Sequence, residues 1–461
     1  MNKRPNIVII MVDEINVAAT SVYGHPFVLT PNMQRLADGG VTVERAYCNS
    51  PLCVPSRASF VTGRYASQIR VYDLNSSLAS GEPTFAHAFN ASGYETVLAG
   101  KMHFVGQDQR HGFQKRLVED CHGDGTHHGI PDWDAPPRKA TKLSERLVNG
   151  GRAGVSRYVQ YDYKVAEATV RYLEEYAQSD RSNPFLLCTG FISPHFPLVV
   201  EEPYFNLYYP DLADLPMHPE LPNHPKYRRI QQHFNLAGPF PEDRIRRARA
   251  AYYGLITFVD RLIGRIIDVL DAAGLGDNTL ILLTSDHGEM MGEHGLWWKS
   301  CFLEEAARVP MICRWPNRLP PGERRKNVLS LVDVFPTILQ AADISIPDFI
   351  VGHSFLPLLE NGDLDWKDEA FIECLAHTAV HPEAAVIKGR YKYIYFVDEP
   401  DQLFDLDTDP HELVDLAGRP EFQPYIEEIK KDLLSKWPVR EIDEQVRLSQ
   451  RLRRYVKAGT P

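Results

Sequence analysis

Short apolar runs rich in β-branched residues alternate with amphipathic stretches along most of the chain, and no other sequence feature limits the fold as strongly. The first run, Ile7 to Val12, contains no polar residue, which is typical of a strand buried on both faces of a parallel sheet. The repeated βα pattern predicts an α/β fold with a mainly parallel, mixed sheet between helices. The other strands predicted for this sheet are Val41 to Tyr47, Glu95 to Ala99, Phe185 to Phe191 and Thr279 to Thr284.

Helices are predicted between these strands from apolar periodicity and capping residues. Thr30 offers a helix cap and Pro31 a first-turn proline, and Gly39-Gly40 marks the end of this first helix. The other predicted helices include Thr84 to Ala91, Tyr163 to Ala177 and Asp243 to Ala273.

The pattern changes after about Pro347, where short strands with alternating side chains precede a helix over Phe422 to Trp437. We therefore predict a large α/β domain over residues 1–348 and a smaller α+β domain over residues 349–461. The short strands are predicted at Ala370 to Cys374, Ala385 to Lys388 and Tyr391 to Phe396.

Charge and the N-terminal sequence exclude several classes of partner. A net charge of −11 and a pI near 5.9 argue against a nucleic-acid-binding protein, so an anionic ligand would need a local basic pocket. The apolar run Ile7 to Val12 is too short for a signal peptide, and no stretch reaches the roughly 20 apolar residues of a membrane span. We expect a cytoplasmic protein with no nucleic-acid or membrane partner.

Four polar residues lie just past predicted strand ends, which is the edge where α/β sheets bind ligands. Two long polar segments, Gln107 to Arg157 and Glu201 to Pro241, are predicted to frame a pocket at this edge. The four residues are Asp13, Lys101, His195 and Asp286.

The seven cysteines are scattered and contain no C-x-x-C pair, so they predict neither a disulfide framework nor a zinc site. Six of them are interpreted as small buried hydrophobic residues. Cys53 differs because of its neighbours: residues 53–57 read C-V-P-S-R, and Thr62-Gly63 follows. This segment resembles the signature of the formylglycine-dependent sulfatases, within the alkaline-phosphatase-like superfamily. In that family the cysteine is oxidised to an aldehyde whose hydrate is the nucleophile.

The residues around Cys53 also have a physical interpretation. Pro55 is predicted to start a helix that ends near Gly63, which would place free N–H groups and a positive dipole end beside position 53. Arg57, one turn along the helix, could bind a sulfate oxygen or the hydrated aldehyde.

Carboxylates after two predicted strands indicate a site for a hard divalent cation. The resemblance implies that the metal, most commonly calcium, is bound by five residues. A histidine softens the ligand set, so manganese and magnesium stay open as alternatives. The five residues are Asp13, Glu14, Cys53, Asp286 and His287.

Three further segments resemble sulfatase motifs and add catalytic residues. Gly100-Lys101-Met102-His103 resembles a G-K-x-H element, in which Lys101 holds a sulfate oxygen and His103 takes a proton from the hydrate. The turn around His195 and the lysine at position 299 resemble the family's leaving-group residues. The resemblance therefore implies a catalytic set of Cys53, Arg57, Lys101, His103, His195 and Lys299, and a substrate-binding set of Lys101, His195, Lys299 and Glu373.

Within this family the sequence resembles the choline-sulfatase group most, through residues 101–113, Glu373 and residues 402–406. Choline sulfate, sugar sulfates and aryl sulfates therefore stay open as substrates. The resemblance also implies transient contact with a formylglycine-generating enzyme and a tendency to form homo-oligomers.

Three alternative functions remain open. A phosphonate monoester or phosphodiester hydrolase would use the same fold, metal and nucleophile. A non-catalytic protein that binds sulfated ligands would leave Cys53 unmodified. A metal-independent cysteine hydrolase would pair Cys53 with His103.

Overall fold

The structure is a computed structural model that describes residues 4–135, 143–180, 183–238, 240–362 and 365–459. Of the helices in this part of the chain, none combines the length and the apolar character that a bilayer span requires. The strands are β1 (Asn6–Val12), β2 (Val41–Tyr47), β3 (Glu95–Gly100), β4 (Lys115–Val118), β5 (Arg152–Ala153), β6 (Phe185–Phe191), β7 (Val199–Val200), β8 (Thr279–Ser285), β9 (Arg308–Arg314), β10 (Glu323–Ser330), β11 (Glu369–Cys374), β12 (Glu383–Lys388), β13 (Tyr391–Tyr395) and β14 (Gln402–Asp405). The helices are α1 (Pro31–Asp38), α2 (Cys53–Thr62), α3 (Phe85–Ala91), α4 (Leu143–Asn149), α5 (Arg157–Gln178), α6 (Glu202–Phe205), α7 (Pro225–His233), α8 (Glu242–Ala272), α9 (Glu304–Ala307), α10 (Val334–Ala341), α11 (Leu356–Asn361), α12 (Gln423–Lys436) and α13 (Val439–Gly459).

The main sheet has eight strands in the order β10-β2-β9-β8-β1-β6-β3-β4. Its pairs are parallel except for those of β9, which runs antiparallel to both β2 and β8. The predicted mixed, mainly parallel sheet between helices is therefore confirmed. The predicted strands Val41 to Tyr47 and Phe185 to Phe191 agree residue for residue with β2 and β6.

Two local predictions need correction. Helix α2 begins at Cys53, two residues before Pro55, so position 53 is itself part of the helix. Thr30 does not cap α1 with its side chain, because its hydroxyl instead accepts the backbone N–H of Ser21 at 3.0 Å.

The central strand β1 faces two hydrophobic cores, one on each side of the sheet. Its side chains alternate between them because successive residues of a strand point to opposite faces. One core includes Ile7, Ile9 and Met11 together with residues of α2 and α3. The other includes Val8, Ile10 and Val12 together with residues of α5 and α8. Both faces of the sheet are thus covered, which explains why Ile7 to Val12 contains no polar residue.

The C-terminal part forms an antiparallel sheet in the order β11-β12-β13-β14, with α12 and α13 following it. This confirms the predicted α+β region. Its apolar side chains, such as Ile372 and Ile394, belong to the same core as α2 and α3. The boundary between residues 348 and 349 stays a prediction.

Strands β8, β1, β6 and β3 are consecutive parallel neighbours, so their carboxyl ends meet at one edge of the sheet. Asp13 follows β1, Lys101 follows β3, and Asp286 follows β8 directly. His195 lies four residues after the end of β6. The fold therefore gathers these four residues as the sequence predicts.

Candidate active site

Cys53 is the first residue of α2, at the helix end where backbone N–H groups point outward and the dipole is positive. Its side chain is 2% exposed. The Sγ atom lies 3.1 Å from Nε2 of His287 and 3.9 Å from Oδ1 of Asp13. Burial raises the pKa of the thiol to about 12. An unmodified Cys53 therefore stays protonated at neutral pH, which is the weakly nucleophilic form of the side chain.

Cys53, Asp13, Asp286 and His287 form a compact group of candidate metal ligands. One donor atom from each lies within 4.8 Å of all the others, and all four residues are buried. Asp13 and Asp286 follow the adjacent parallel strands β1 and β8, so the sheet itself brings the two carboxylates together. Two carboxylates and an imidazole around one point suit a divalent cation.

The protonation of His287 also suits a ligand. Burial lowers its pKa to about 3, so the ring is neutral. Its Nδ1 lies 3.0 Å from the carbonyl oxygen of Gly288. A carbonyl can only accept, so Nδ1 carries the hydrogen and Nε2 keeps its lone pair. This lone pair faces Cys53 and the carboxylates, which is the orientation that metal-binding histidines adopt.

Two buried cations, Arg57 and Lys101, balance the two carboxylates. Arg57 donates from Nε to Oδ2 of Asp286 at 2.7 Å and from Nη1 to the carbonyl of Lys101 at 2.8 Å. Burial raises the pKa of Asp286, but the Arg57 guanidinium outweighs it and holds the pKa below its ordinary value. The Nζ atom of Lys101 forms an ion pair with Oδ2 of Asp13. A dication added to this neutral set would give a net positive site for an anionic substrate.

Glu14 lies beside Asp13 and His195, and one donor atom from each of these three residues lies within 4.8 Å of the others. Its backbone has a positive φ of 65°. Its Oε1 accepts from Nζ of Lys299 at 2.7 Å, and its Oε2 lies 3.5 Å from Nε2 of His195. Burial raises the pKa of Glu14 well above its ordinary value. The structure thus places Glu14 with the predicted leaving-group residues, and its role as a metal ligand stays a prediction.

His195 sits on a loop in which Ser193-Pro194 and Phe196-Pro197 are cis peptides. Its Nδ1 donates to the carbonyl of Phe196 at 2.7 Å, which leaves the Nε2 lone pair toward Glu14. Asp162 on α5 holds the start of this loop, because its carboxylate accepts the N–H groups of Ile192 and Ser193 at 2.8 and 2.9 Å. Burial lowers the pKa of His195 well below its ordinary value. The ring is therefore neutral at pH 7.

His103 lies two residues after Lys101 and also has a positive φ, of 59°. Its ring stacks on that of His122 with centroids 4.1 Å apart and an 8° angle between the planes. Its Nε2 lies 3.2 Å from Nε2 of His128. His122 in turn lies 6.5 Å from His195, centroid to centroid. The two catalytic candidates His103 and His195 therefore line one histidine-rich side of the site.

Comparisons with known proteins agree with this geometry. A family model described as sulfatase matches residues 5–344, and one described as the C-terminal part of N-sulphoglucosamine sulphohydrolase matches residues 292–437. The chain belongs to the sulfatase family. Members of this family are sulfuric ester hydrolases, and they generally use a metal ion and a formylglycine residue.

Relatives of this sulfatase match over nearly their whole length. A choline-sulfatase of Rhizobium meliloti is 34% identical, over 98% of this chain and 90% of the relative. An arylsulfatase of Clostridium perfringens is 32% identical, over 95% of both chains. A phosphonate monoester hydrolase of Agrobacterium radiobacter has a similar solved structure, with a TM-score of 0.76 and 27% identity over 94% of this chain and 95% of that one.

Glu373 is predicted to bind substrate, but no described contact joins it to the other predicted site residues of this sulfatase. Its Oε1 accepts the backbone N–H of Ser67 at 2.7 Å, and its Oε2 accepts Nε1–H of Trp437 at 2.9 Å. Both carboxylate oxygens are thus engaged within the protein. Its role in substrate binding stays a prediction.

Sequence reasoning missed the residues that support the catalytic candidates. Asp162 carried one signal, which is a carboxylate on the buried side of an amphipathic helix. Asp120, His122 and His128 lie in the long segment Gln107 to Arg157, for which the sequence predicts a position beside the pocket but no role for any single residue. Part of that segment, residues 136–142, lies outside the described residues.

Proposed function

We propose that this sulfatase hydrolyses a sulfate monoester to an alcohol and inorganic sulfate, with a formylglycine hydrate at position 53 and one divalent metal ion. The observation that carries the proposal is the burial of Cys53 at the start of α2 within 4.8 Å of three metal-ligand side chains. The choline-sulfatase and arylsulfatase relatives support sulfate esters as substrates. Choline-type, sugar and aryl sulfates are the candidate classes.

The nucleophile is the first element of the proposal. The thiol of Cys53 has its pKa raised to about 12, so it would be a poor nucleophile as it stands. An aldehyde hydrate at this position supplies a hydroxyl for attack on sulfur and a second hydroxyl whose deprotonation expels sulfate. The high pKa also weighs against a cysteine hydrolase. That reading needs a thiolate beside His103, whereas the imidazole in contact with Sγ is that of His287.

The metal would be held by Asp13, Asp286, His287 and the modified residue 53. The donor atoms of these four residues lie within 4.8 Å of one another, and His287 turns its Nε2 lone pair toward the others, so the donors fit a cation. When bound, the ion neutralises sulfate charge and lowers the pKa of the hydrate. We propose Ca²⁺ first, with Mn²⁺ and Mg²⁺ as alternatives because an imidazole is present.

The remaining residues move protons and bind charge. Burial lowers the pKa of Lys299, whereas the neighbouring Glu14 and Glu289 carboxylates raise it, so its pKa lies above its ordinary value and Lys299 is an ammonium ion. His195 is neutral. Lys299 is therefore the better proton donor to the departing oxygen, while His195 orients that oxygen. Lys101 and Arg57 bind sulfate oxygens, and His103 accepts the proton of the second hydroxyl.

The proposal is tested by the mass of the peptide that contains Cys53. Conversion of the thiol to an aldehyde lowers the mass by roughly 18 Da. Turnover of a sulfate ester should accompany this loss, disappear in Cys53→Ala and disappear after chelation. An unmodified thiol in a host that modifies such motifs would contradict the mechanism. Activity that survives chelation would favour the cysteine hydrolase, and ligand binding without any turnover would favour a binding protein.

A phosphonate monoester or phosphodiester hydrolase is the second candidate. The similar structure of the Agrobacterium radiobacter phosphonate monoester hydrolase favours it. Sulfate and phosphonate monoesters that share one aryl leaving group would separate the two candidates. We expect the larger kcat/KM for the sulfate ester, and the opposite order would overturn the primary proposal.

The cytoplasmic location, the transient contact with a formylglycine-generating enzyme and the assembly into homo-oligomers also remain proposals. Cell fractionation would test the first. Coexpression with and without the modifying enzyme would test the second, through the mass of the Cys53 peptide. The mass of the native particle in solution would test the third.

A further inference from the structure

One loop, residues 120–134, makes three separate contacts with His103; we call it the mouth loop. The carboxylate of Asp120 accepts the N–H groups of Met102 and His103 at 2.9 and 2.7 Å, which fixes the backbone. The ring of His122 stacks on His103 with centroids 4.1 Å apart, which fixes the plane of the ring. Nε2 of His128 lies 3.2 Å from Nε2 of His103, which fixes its rotation.

The contact with His128 also decides where the hydrogen of His103 resides. Burial lowers the pKa of both rings, that of His128 to about 3, so each ring is neutral and carries one N–H. In a hydrogen bond between two Nε2 atoms, one donates and the other accepts. Nδ1 of His103 is buried and has no hydrogen-bond partner within the described residues. An Nδ1–H at this position would lose a hydrogen bond, whereas a free lone pair there can receive a proton.

Helix α13 and Asn75 hold the mouth loop in place. Lys457 of α13 donates to the carbonyl of His128 at 3.2 Å, and Nδ2 of Asn75 donates to the carbonyls of Thr126 and His128 at 3.0 Å each. Further along the loop, Arg447 and Arg451 of α13 pair with Asp134 at 2.8 and 3.2 Å, and Arg454 pairs with Asp132. These contacts tie the backbone of His128 to both α13 and the segment after α2.

We propose that His128 is a positioning residue for sulfate ester hydrolysis: it accepts Nε2–H of His103 and so keeps the Nδ1 lone pair of His103 free to take the proton of the second hydroxyl. This inference rests on the proposed function for the role of His103. The proton moves to Nδ1 as the C–O bond to sulfate breaks and the carbonyl forms, so sulfate leaves with the bonding pair. Asn75 and α13 act through His128 by fixing the mouth loop.

The kinetic test compares His128→Ala with His127→Ala, whose exposed ring packs against that of His128 with centroids 4.1 Å apart but makes no described contact with His103. Loss of a partner that orients a reacting histidine typically lowers activity on the order of 10- to 100-fold. We expect that fall in kcat for His128→Ala, with a matching fall in KM and a kcat/KM changed by less than about threefold, because substrate binding and the first step do not use His103. The sulfated form of residue 53 should accumulate and be visible by mass. His128→Gln, which keeps an acceptor, should recover part of the activity, and His127→Ala should match the wild type.

A variant that leaves every histidine in place separates positioning from a direct role. Asn75→Asp puts a carboxylate where the side chain now donates to two carbonyls, so the mouth loop should move away. We expect the same pattern as for His128→Ala, namely lower kcat with nearly constant kcat/KM. Normal kinetics in Asn75→Asp together with a displaced loop would overturn the inference.

The tautomer can be measured without substrate. In ¹⁵N-histidine-labelled protein, long-range ¹H–¹⁵N spectra distinguish a protonated Nδ1 from a protonated Nε2, and His103→Gln identifies the signal. We expect protonated Nε2 in the wild type and in His127→Ala, and a mixture of tautomers in His128→Ala. A wild-type His103 that is protonated at Nδ1 would overturn the inference. If wild-type protein with the modified residue 53 hydrolyses no sulfate ester, the proposed function fails instead, and the tautomer result stands independently.

Discussion

Asp162 gives the sharpest prediction because burial and hydrogen bonding pull its carboxyl in opposite directions. Burial raises its pKa to about 7, although the N–H groups of Ile192 and Ser193 both donate to it. In the unfolded chain the pKa returns to its ordinary value of 3.8. A shift of about three units corresponds to about 4 kcal/mol of linkage between ionisation and folding.

The sign follows from which state ionises first. Below about pH 4 the carboxyl is protonated in both states, and the full stability is present. Between about pH 4 and pH 7 only the unfolded chain ionises, so the free energy of unfolding falls. Above about pH 7 both states are ionised, and about 4 kcal/mol has been lost. Asp162→Asn cannot ionise and keeps one of the two acceptor oxygens, so its stability should lie about 1–3 kcal/mol below that of the wild type with Asp162 protonated and should not vary with pH through this residue.

Wild type and Asp162→Asn should therefore exchange order as the pH rises. We expect the wild type to be the more stable at pH 4.5 and the variant at pH 8, by urea unfolding followed by circular dichroism. Asp120→Asn is the matched control. Burial raises the pKa of Asp120, but the hydrogen bond from His122 and the Arg116 guanidinium lower it, and the pKa lies well below its ordinary value, so the penalty of Asp120→Asn should not change above about pH 5. Parallel pH curves for wild type and Asp162→Asn would refute the reasoning.

Three further predictions concern the active site. Lys299→Ala should lower kcat most for sulfate esters with poor alkoxide leaving groups and least for nitrophenyl esters, which need no proton; equal losses for both in steady-state assays would contradict proton donation by this residue. His287→Asn should shift metal preference toward Ca²⁺ and away from Mn²⁺ when the chelated protein is reloaded, because an amide oxygen is a harder ligand than an imidazole; an unchanged order of metals would argue against ligation by His287. Gly190→Ala should displace the Lys101 backbone, since a Cβ there would overlap the Lys101 carbonyl, and both the unfolding midpoint and kcat should fall; wild-type values of both would contradict this close approach.

The central strands could be predicted because they are buried on both faces, and so read as uninterrupted apolar runs. Strand β10 could not, because this edge strand begins with Glu323, Arg324 and Arg325 and carries a register shift against β2. Strand β9 contains Pro310 and runs antiparallel to both of its neighbours, β2 and β8. It could not be predicted either, because an apolar pattern does not encode the direction of a strand. Topology therefore exceeds what periodicity alone can supply.

The residues of the site likewise divide into those that the sequence could predict and those that it could not. Residues within sequence motifs, such as Cys53, Lys101 and Asp286, could be found because their spacing reflects one chemistry. The direction of the Glu14 side chain could not, because it depends on a positive φ and on Lys299, which is distant in the sequence. Asp162 and His128 act through backbone N–H groups or another ring, and such contacts leave no spacing in the sequence.

The burial of Cys53 sets an order of events during the life of the chain. Only 2% of this residue reaches the surface, at the start of a helix that is packed against the loop after β8. An enzyme that oxidises the thiol cannot reach it there. Under the proposed mechanism, conversion therefore has to precede the packing of α2 against the rest of the fold. Molecules that fold before they meet that enzyme keep an unmodified Cys53 and stay inactive. The fraction of active protein therefore depends on the rate of folding relative to the rate of modification. Slower folding at low temperature should raise this fraction.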